Sequence, residues 1–162
     1  ESFYRLPGHT PAQETELAPG ELIIAMRLPP NAAAFAAHQR YLKVRDRTSY
    51  AFAVVSAAAA LQLDAGRIKA ARLALGGVAM RPWRARAAEA VLLGAKPEST
   101  VFRKAAEAAL ADAKPAGGHD FKIELARRVI SRAFVLAMAG TPSPLPALPA
   151  SPFALPQGVL HV

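Results

Sequence analysis

Cysteine is absent from this 162-residue chain. Disulfides, zinc–thiolate centres and cysteine-held iron–sulfur clusters are therefore excluded within it. Acidic charge is in short supply: 12 carboxylates stand against 20 lysines and arginines, a formal net charge of +8. That balance fits either an anionic partner or a solvated, arginine-rich surface. Long hydrophobic runs are lacking as well. The uncharged stretch Ala51 to Leu63 falls short of the ~20 residues a spanning helix needs, and Ser56 and Gln62 interrupt it. It reads as a buried strand, and no membrane span is expected. No basic segment followed by an apolar one opens the chain, so no secretory leader is expected. The first residue is Glu1 rather than Met, and the expectation is a piece of a longer polypeptide.

Catalytic patterns are missing too. His9, His38, His119 and His161 lie scattered, with no HExxH or similar spacing, so no metal site is expected. Ser49, Ser56 and Ser99 lack a GxSxG setting. Paired carboxylates on one face are absent. The chain is not expected to be catalytic on its own.

What is present is a strand-rich centre followed by helical periodicity. Glu1 to Pro19 is proline-rich and reads as a loop. Glu21 to Leu28, ELIIAMRL, predicts a short strand stopped by Pro29 and Pro30. His38 to Arg45 alternates, with Leu42 and Val44 on one face and Tyr41, Lys43 and Arg45 on the other. The second face would suit an anionic or planar ligand, but the residues by themselves favour a solvated strand face with Tyr41 at its rim. Tyr50 to Leu63 predicts a second strand, Asp64 to Arg67 a hairpin turn, and Ile68 to Leu75 a third strand. Gly76 and Gly77 carry no GxGxxG or GxxxxGK[ST] pattern and read as a turn where backbone passes closely.

Pro82 then opens a helical half. Arg84 to Leu93 predicts a short helix ended by Gly94. Ser99 or Thr100 is expected to cap the next, whose apolar face is Phe102, Ala105, Ala106, Ala109 and Leu110. Asp120 is expected to cap a third, Phe121 to Ala139, ended by Gly140 and Pro142. The expected fold is α+β: a three-stranded antiparallel sheet followed by a three-helix bundle. The predicted layout is a first segment 1–37, a domain 38–141 and a proline-rich tail 142–162.

Three runs carry a resemblance: KVRDRTSYAFAVVSAAAAL, then DAGRIKAARLALGGVAMRPWRARAAEAVLLG, then FKIELARRVISRAF. Their order resembles the C-terminal domain of the FAD-binding subunit of the molybdenum hydroxylases, the family of xanthine dehydrogenase, aldehyde oxidase and carbon monoxide dehydrogenase. FYRLPG and LAPGELIIAMRLP resemble the end of that family's FAD-binding region, which makes residues 1–37 a remnant of it. The wording is closest to the bacterial aldehyde oxidase branch.

The resemblance implies a role in electron transfer from iron–sulfur clusters through FAD to an acceptor. It implies as partners a molybdenum cofactor-binding large subunit, an iron–sulfur small subunit and the remaining N-terminal part of the FAD subunit. The compartment would be bacterial cytoplasm or, for an assembled complex, periplasm. By this resemblance Lys43 contacts FAD, and Ile23, or its neighbour Ile24, packs against the cofactor, at its adenine. The glycine-rich loops that hold most of the FAD in that family are not in this sequence, so the site here is partial. Thr48, Ser49 and Tyr50 stand where many relatives have an acidic residue. Two other readings compete. One is a winged-helix-like nucleic-acid module using Arg84, Arg86, Arg103, Arg127, Arg128 and Arg132. The other is a purely structural assembly domain.

Overall fold

Three strands follow one another in the computed structural model, which describes residues 3–6, 8–115 and 117–142. They are β1 (Gln39–Val44), β2 (Val55–Asp64) and β3 (Arg67–Gly76). The β2–β3 turn is Ala65-Gly66, both at positive φ (47° and 73°). That is the type I′ pattern, whose twist matches the strands it joins. The register slips between Gln62 and Leu63: Gln62 pairs with Ala70 but Leu63 with Ile68, leaving Lys69 without a partner. The extra residue resets the alternation, which is why Ile68 and Ala71 are both buried although three positions apart.

The sheet has a fourth strand that the sequence reading lacked. β4 (Trp83–Arg84) pairs antiparallel with β3, giving the order β1-β2-β3-β4. The residues after Pro82 were expected to begin a helix. Instead they stay extended, because they cover the free edge of β3; the Ala85 amide donates to the Leu73 carbonyl at 2.9 Å. Other expectations are also corrected. Glu21–Leu28 has no strand partner among the described residues. Residues 50–54 are not strand, and Tyr50 turns through φ 49°.

The helices are α1 (Arg86–Leu92), α2 (Ser99–Ala109) and α3 (Phe121–Met138). They form a layer on the sheet rather than a separate bundle. α3 crosses β2 and β1, α1 lies against β3, and α2 bridges α1 and α3. Small side chains permit this. Ala57 and Ala59 on β2 and Ala126, Ala133 and Ala137 on α3 are all buried, so helix and sheet backbones approach closely. Phe102 and Phe134 fill the space between α2 and α3, stacked with centroids 5.5 Å apart. Neither expected side-chain cap forms. Glu98 precedes α2 with Ser99 already helical, and Asp120 is itself in helical conformation. Among the described residues, no helix is long and apolar enough to cross a membrane.

The end of α3 is tied back to the residues before β1. Thr141 Oγ1 donates to the Ala36 carbonyl at 2.7 Å and accepts from the Gln39 amide at 3.0 Å. The Thr141 amide donates to the Ala37 carbonyl at 2.9 Å. His38 Nδ1 donates to the Ala137 carbonyl at 3.1 Å.

Gly77 shows why a glycine follows β3. Its φ is +75°, and a Cβ there would lie 2.7 Å from the Ala53 carbonyl oxygen and 2.9 Å from that of Val54. We expect Gly77→Ala to lose at least about 1–2 kcal/mol, the cost of the left-handed backbone alone, measured by urea denaturation. Unchanged stability would mean that the loop relaxes away.

Glu124 gives a pH dependence. Its carboxyl is held below the ordinary value by the hydrogen bond from Arg128, then by that from Arg127. A depressed folded value means the ion pairs stabilise fully above the unfolded pKa and lose their effect as pH falls through the folded one. Both pairs are solvent-exposed, so the effect is small. Glu124→Gln should be slightly less stable than the parent at neutral pH. The two should converge in acid, as thermal melts across pH 2–7 would show (a range of about five units).

Candidate functional site

One face of the sheet carries the helices; the other is open. Register and alternation lay the open face out in rows across the strands. Lys43 opposes Ser56, which opposes Gly76. Tyr41 opposes Ala58, then Ala74, then Arg84. Gln39 opposes Ala60, then Arg72. The middle of the face is thus a flat floor of Ser, Ala and Gly, and longer side chains stand at its margins.

Each margin has a physical cause. β1 is an edge strand, so Tyr41 and Lys43 are exposed. Lys43 makes no ion pair among the described residues, and a cation on an edge strand also discourages edge-to-edge pairing. Arg72 is held over the Phe35 ring, its Cζ 5.1 Å from the centroid, a cation–π contact. Phe35 sits at the end of a 3-10 turn, Pro30–Phe35. Arg84 is bound through its Nε and Nη2 to the two oxygens of Glu89, the second at 3.0 Å. Glu89 Oε1 also accepts from the Leu73 amide at 2.9 Å. Ser56 Oγ would lie 2.7 Å from a Cβ at Gly76, so glycine keeps that row flat.

Between these margins lies a trough of about 830 Å³, bounded by Phe35, Tyr41, Arg72, Arg84 and Thr141 over Ala58, Ala60 and Ala74. Its floor is apolar and its walls are cationic and aromatic. Such a surface can take a flat ring by stacking and neutralise an anion at the edge. Among the described residues, no three His, Asp or Glu side chains gather to hold a metal.

The two residues singled out by resemblance fall in different places. Lys43 projects from the open face, two positions along β1 from Tyr41. Ile23 lies in an irregular exposed stretch off the sheet, itself 59% exposed. Arg45 follows the end of β1 and is half-buried. Strand alternation sets Arg72 on the face opposite Ala71 and Leu73, but its seat on Phe35 spans 37 positions of chain and is not legible in the sequence.

The profile of the CO dehydrogenase flavoprotein C-terminal domain matches residues 40–137. The chain belongs to this family. Its match to the aldehyde oxidoreductase FAD-binding subunit of Escherichia coli is 44% identical over 137 residues, covering 85% of this chain and 39% of that protein. Among solved structures, reconstituted CO dehydrogenase from Oligotropha carboxidovorans aligns with a TM-score of 0.67 at 28% identity, over 80% of this chain and 46% of that one. Quinoline 2-oxidoreductase from Pseudomonas putida aligns with a TM-score of 0.59 at 31% identity, over 64% of this chain and 38% of that one. The chain therefore spans less than half the length of these relatives. The flavoprotein C-terminal domain match takes in the β1–β4 sheet and α1–α3 except for the first residue of β1 and the last of α3, and the 3-10 turn bearing Phe35 lies just before it.

Glu89 is the joint between α1, β3 and β4. Glu89→Ala leaves the Leu73 amide and the Arg84 guanidinium without this acceptor. We expect a loss of about 1–3 kcal/mol, the cost of a broken, partly buried hydrogen-bond set, in urea denaturation. Stability equal to the parent would mean that water replaces the carboxylate at no cost.

Proposed function

We propose that this chain is the C-terminal part of the FAD-binding subunit of a molybdenum hydroxylase, and that the open sheet face closes the FAD site. The observation that carries this reading is Lys43. It is an exposed cation with no ion pair among the described residues, beside Tyr41 and a small-residue floor, in a domain of the flavoprotein family. Lys43 would neutralise a cofactor phosphate or hydrogen-bond a flavin carbonyl. FAD would supply the redox chemistry, taking electrons from iron–sulfur clusters and passing them to an acceptor. This chain's residues bind and orient the cofactor and shield one side of it. No residue here does chemistry on a substrate.

Residues 1–37 are read as the end of the FAD-binding domain and 38–141 as the C-terminal domain. Leu22, Ile24, Met26 and Leu28 are 75–96% exposed at alternate positions. That is the pattern of a strand whose sheet lies elsewhere in the polypeptide. Ile23 in this stretch would pack against the cofactor, at its adenine. The proline-rich tail, 142–162, lies outside the described residues apart from Pro142. The partners are the molybdenum cofactor-binding large subunit, the iron–sulfur small subunit and the rest of the FAD subunit.

The test uses the full-length subunit. Lys43→Ala should weaken FAD binding roughly tenfold, the loss of one charge-assisted hydrogen bond, by calorimetry on the flavin-free protein. Unchanged affinity, flavin potential and turnover would overturn the assignment. Comparing flavin absorbance of residues 1–162 alone with the full-length subunit tests the partial site. Flavin is expected only in the longer protein.

A further inference from the structure

The groove between α2 and α3, on the side away from the sheet, is cut off from the trough and has a charge pattern of its own. Phe102, near the start of α2, stacks on Phe134, near the end of α3, so the two helices run antiparallel. Ser99, Arg103 and Glu107 follow one another at four-residue spacing along one wall. Glu124, Arg128, Ser131 and Val135 do so, at three and four, along the other, with Arg127 and Arg132 beside them. Ala106 is a buried residue between the walls. The groove encloses about 460 Å³.

Antiparallel packing sorts these charges by end. Glu107 and Glu124 lie at the end nearest the α2–α3 loop, and Glu124 occupies both Arg127 and Arg128, at 3.4 and 2.8 Å. Arg103 and Arg132 lie toward the other end with Ser99 and Ser131. Neither arginine makes an ion pair among the described residues, and both are exposed. One end of the groove is therefore a pair of uncompensated guanidinium groups with two hydroxyls, beside the 38%-exposed side chain of Val135. At the other end the charges balance, Glu107 and Glu124 standing with Arg127 and Arg128.

We propose that this groove docks an acidic segment of a protein partner, with one or two of its carboxylates on Arg103 and Arg132 and an apolar side chain against Val135. Guanidinium forks match carboxylates in geometry and are weakly hydrated, which suits them to interfaces. A nucleic-acid backbone fits poorly, because a continuous run of phosphates along the groove would pass from Arg103 and Arg132 to Glu107 and to two arginines that Glu124 already engages. A lone inorganic anion leaves most of the volume and the apolar wall unused. That the partner is another subunit of the assembly rests on the function proposed above; the acid preference does not.

Two measurements test the proposal. In the first, the full-length flavin subunit is titrated against the remaining subunits at low and high salt. The R103E/R132E pair should weaken association at least tenfold at low salt, with the gap narrowing as salt rises. FAD content should not change, and R103K/R132K should stay within a few-fold of the parent. Association unaffected by charge reversal overturns the subunit as partner. In the second, the 162-residue chain is titrated with a Glu-rich decapeptide and followed by amide chemical shifts. Shifts should centre on Ser99, Arg103, Ser131 and Arg132 and vanish in R103E/R132E. Shifts spread evenly over all basic residues, or displacement of the peptide by an equimolar DNA duplex, would overturn the acid site itself. Unchanged FAD affinity in Lys43→Ala together with normal peptide binding would count against the flavin-site reading and leave the groove standing.

Discussion

Close approach between backbones is the constraint on which this fold depends. The buried faces of β2 and α3 meet through alanines, so the helix sits deep against the strands. The same economy governs the loop after β3, where any side chain at Gly77 would strike the carbonyls of Ala53 and Val54. Packing of this kind leaves little area per residue to bury. Stability then leans on the few large side chains, Phe102, Phe134, Leu61, Ile68, Leu73, Leu92 and Ile130, all fully buried. A domain so built tolerates truncation of an alanine poorly and enlargement worse, because the layers have no slack in which to absorb a methyl group.

Smallness also explains the open face. Residues that let β2 lie between two neighbours without crowding leave Ala58, Ala60, Ala74 and Gly76 level with the backbone. Function, on the reading proposed here, uses that flatness. A planar ligand needs a surface with nothing projecting from it, and charged groups only where the edge strands end. The arginines at the margin are restrained before any ligand arrives, Arg72 by Phe35 and Arg84 by Glu89. Restraint of that sort lowers the entropy lost on binding.

Local patterns were legible in the sequence and long-range ones were not. Alternation placed β1 and the outward direction of Lys43 and Tyr41; Ala65-Gly66 placed the hairpin; the period of Phe102, Ala105, Ala106 and Ala109 placed α2. Each depends only on residues a few positions apart. The fourth strand escaped notice because two residues carry no periodicity, and its existence depends on the free edge of β3. Glu21–Leu28 has strand composition without a strand, since a ladder needs a partner that composition does not reveal. The margins of the trough join Phe35 to Arg72 and Thr141 to residue 36, pairings that only a folded chain displays. Lys43 was assigned a ligand by resemblance; its alternation alone favoured a solvated face.

The tie between Thr141 and residues 36–39 has a consequence for how the chain comes to be folded. Those hydrogen bonds join segments about a hundred residues apart, one just ahead of the first strand and the other just past the last helix. On a ribosome the tie is among the last contacts to form, because α3 must emerge before it can be made, at roughly 5–20 residues per second. Until then β1 is held by β2 alone. The adjacency of these two points also means that the stretch between them begins and ends at one place on the surface, the geometry that lets a domain be spliced into another polypeptide without disturbing its host.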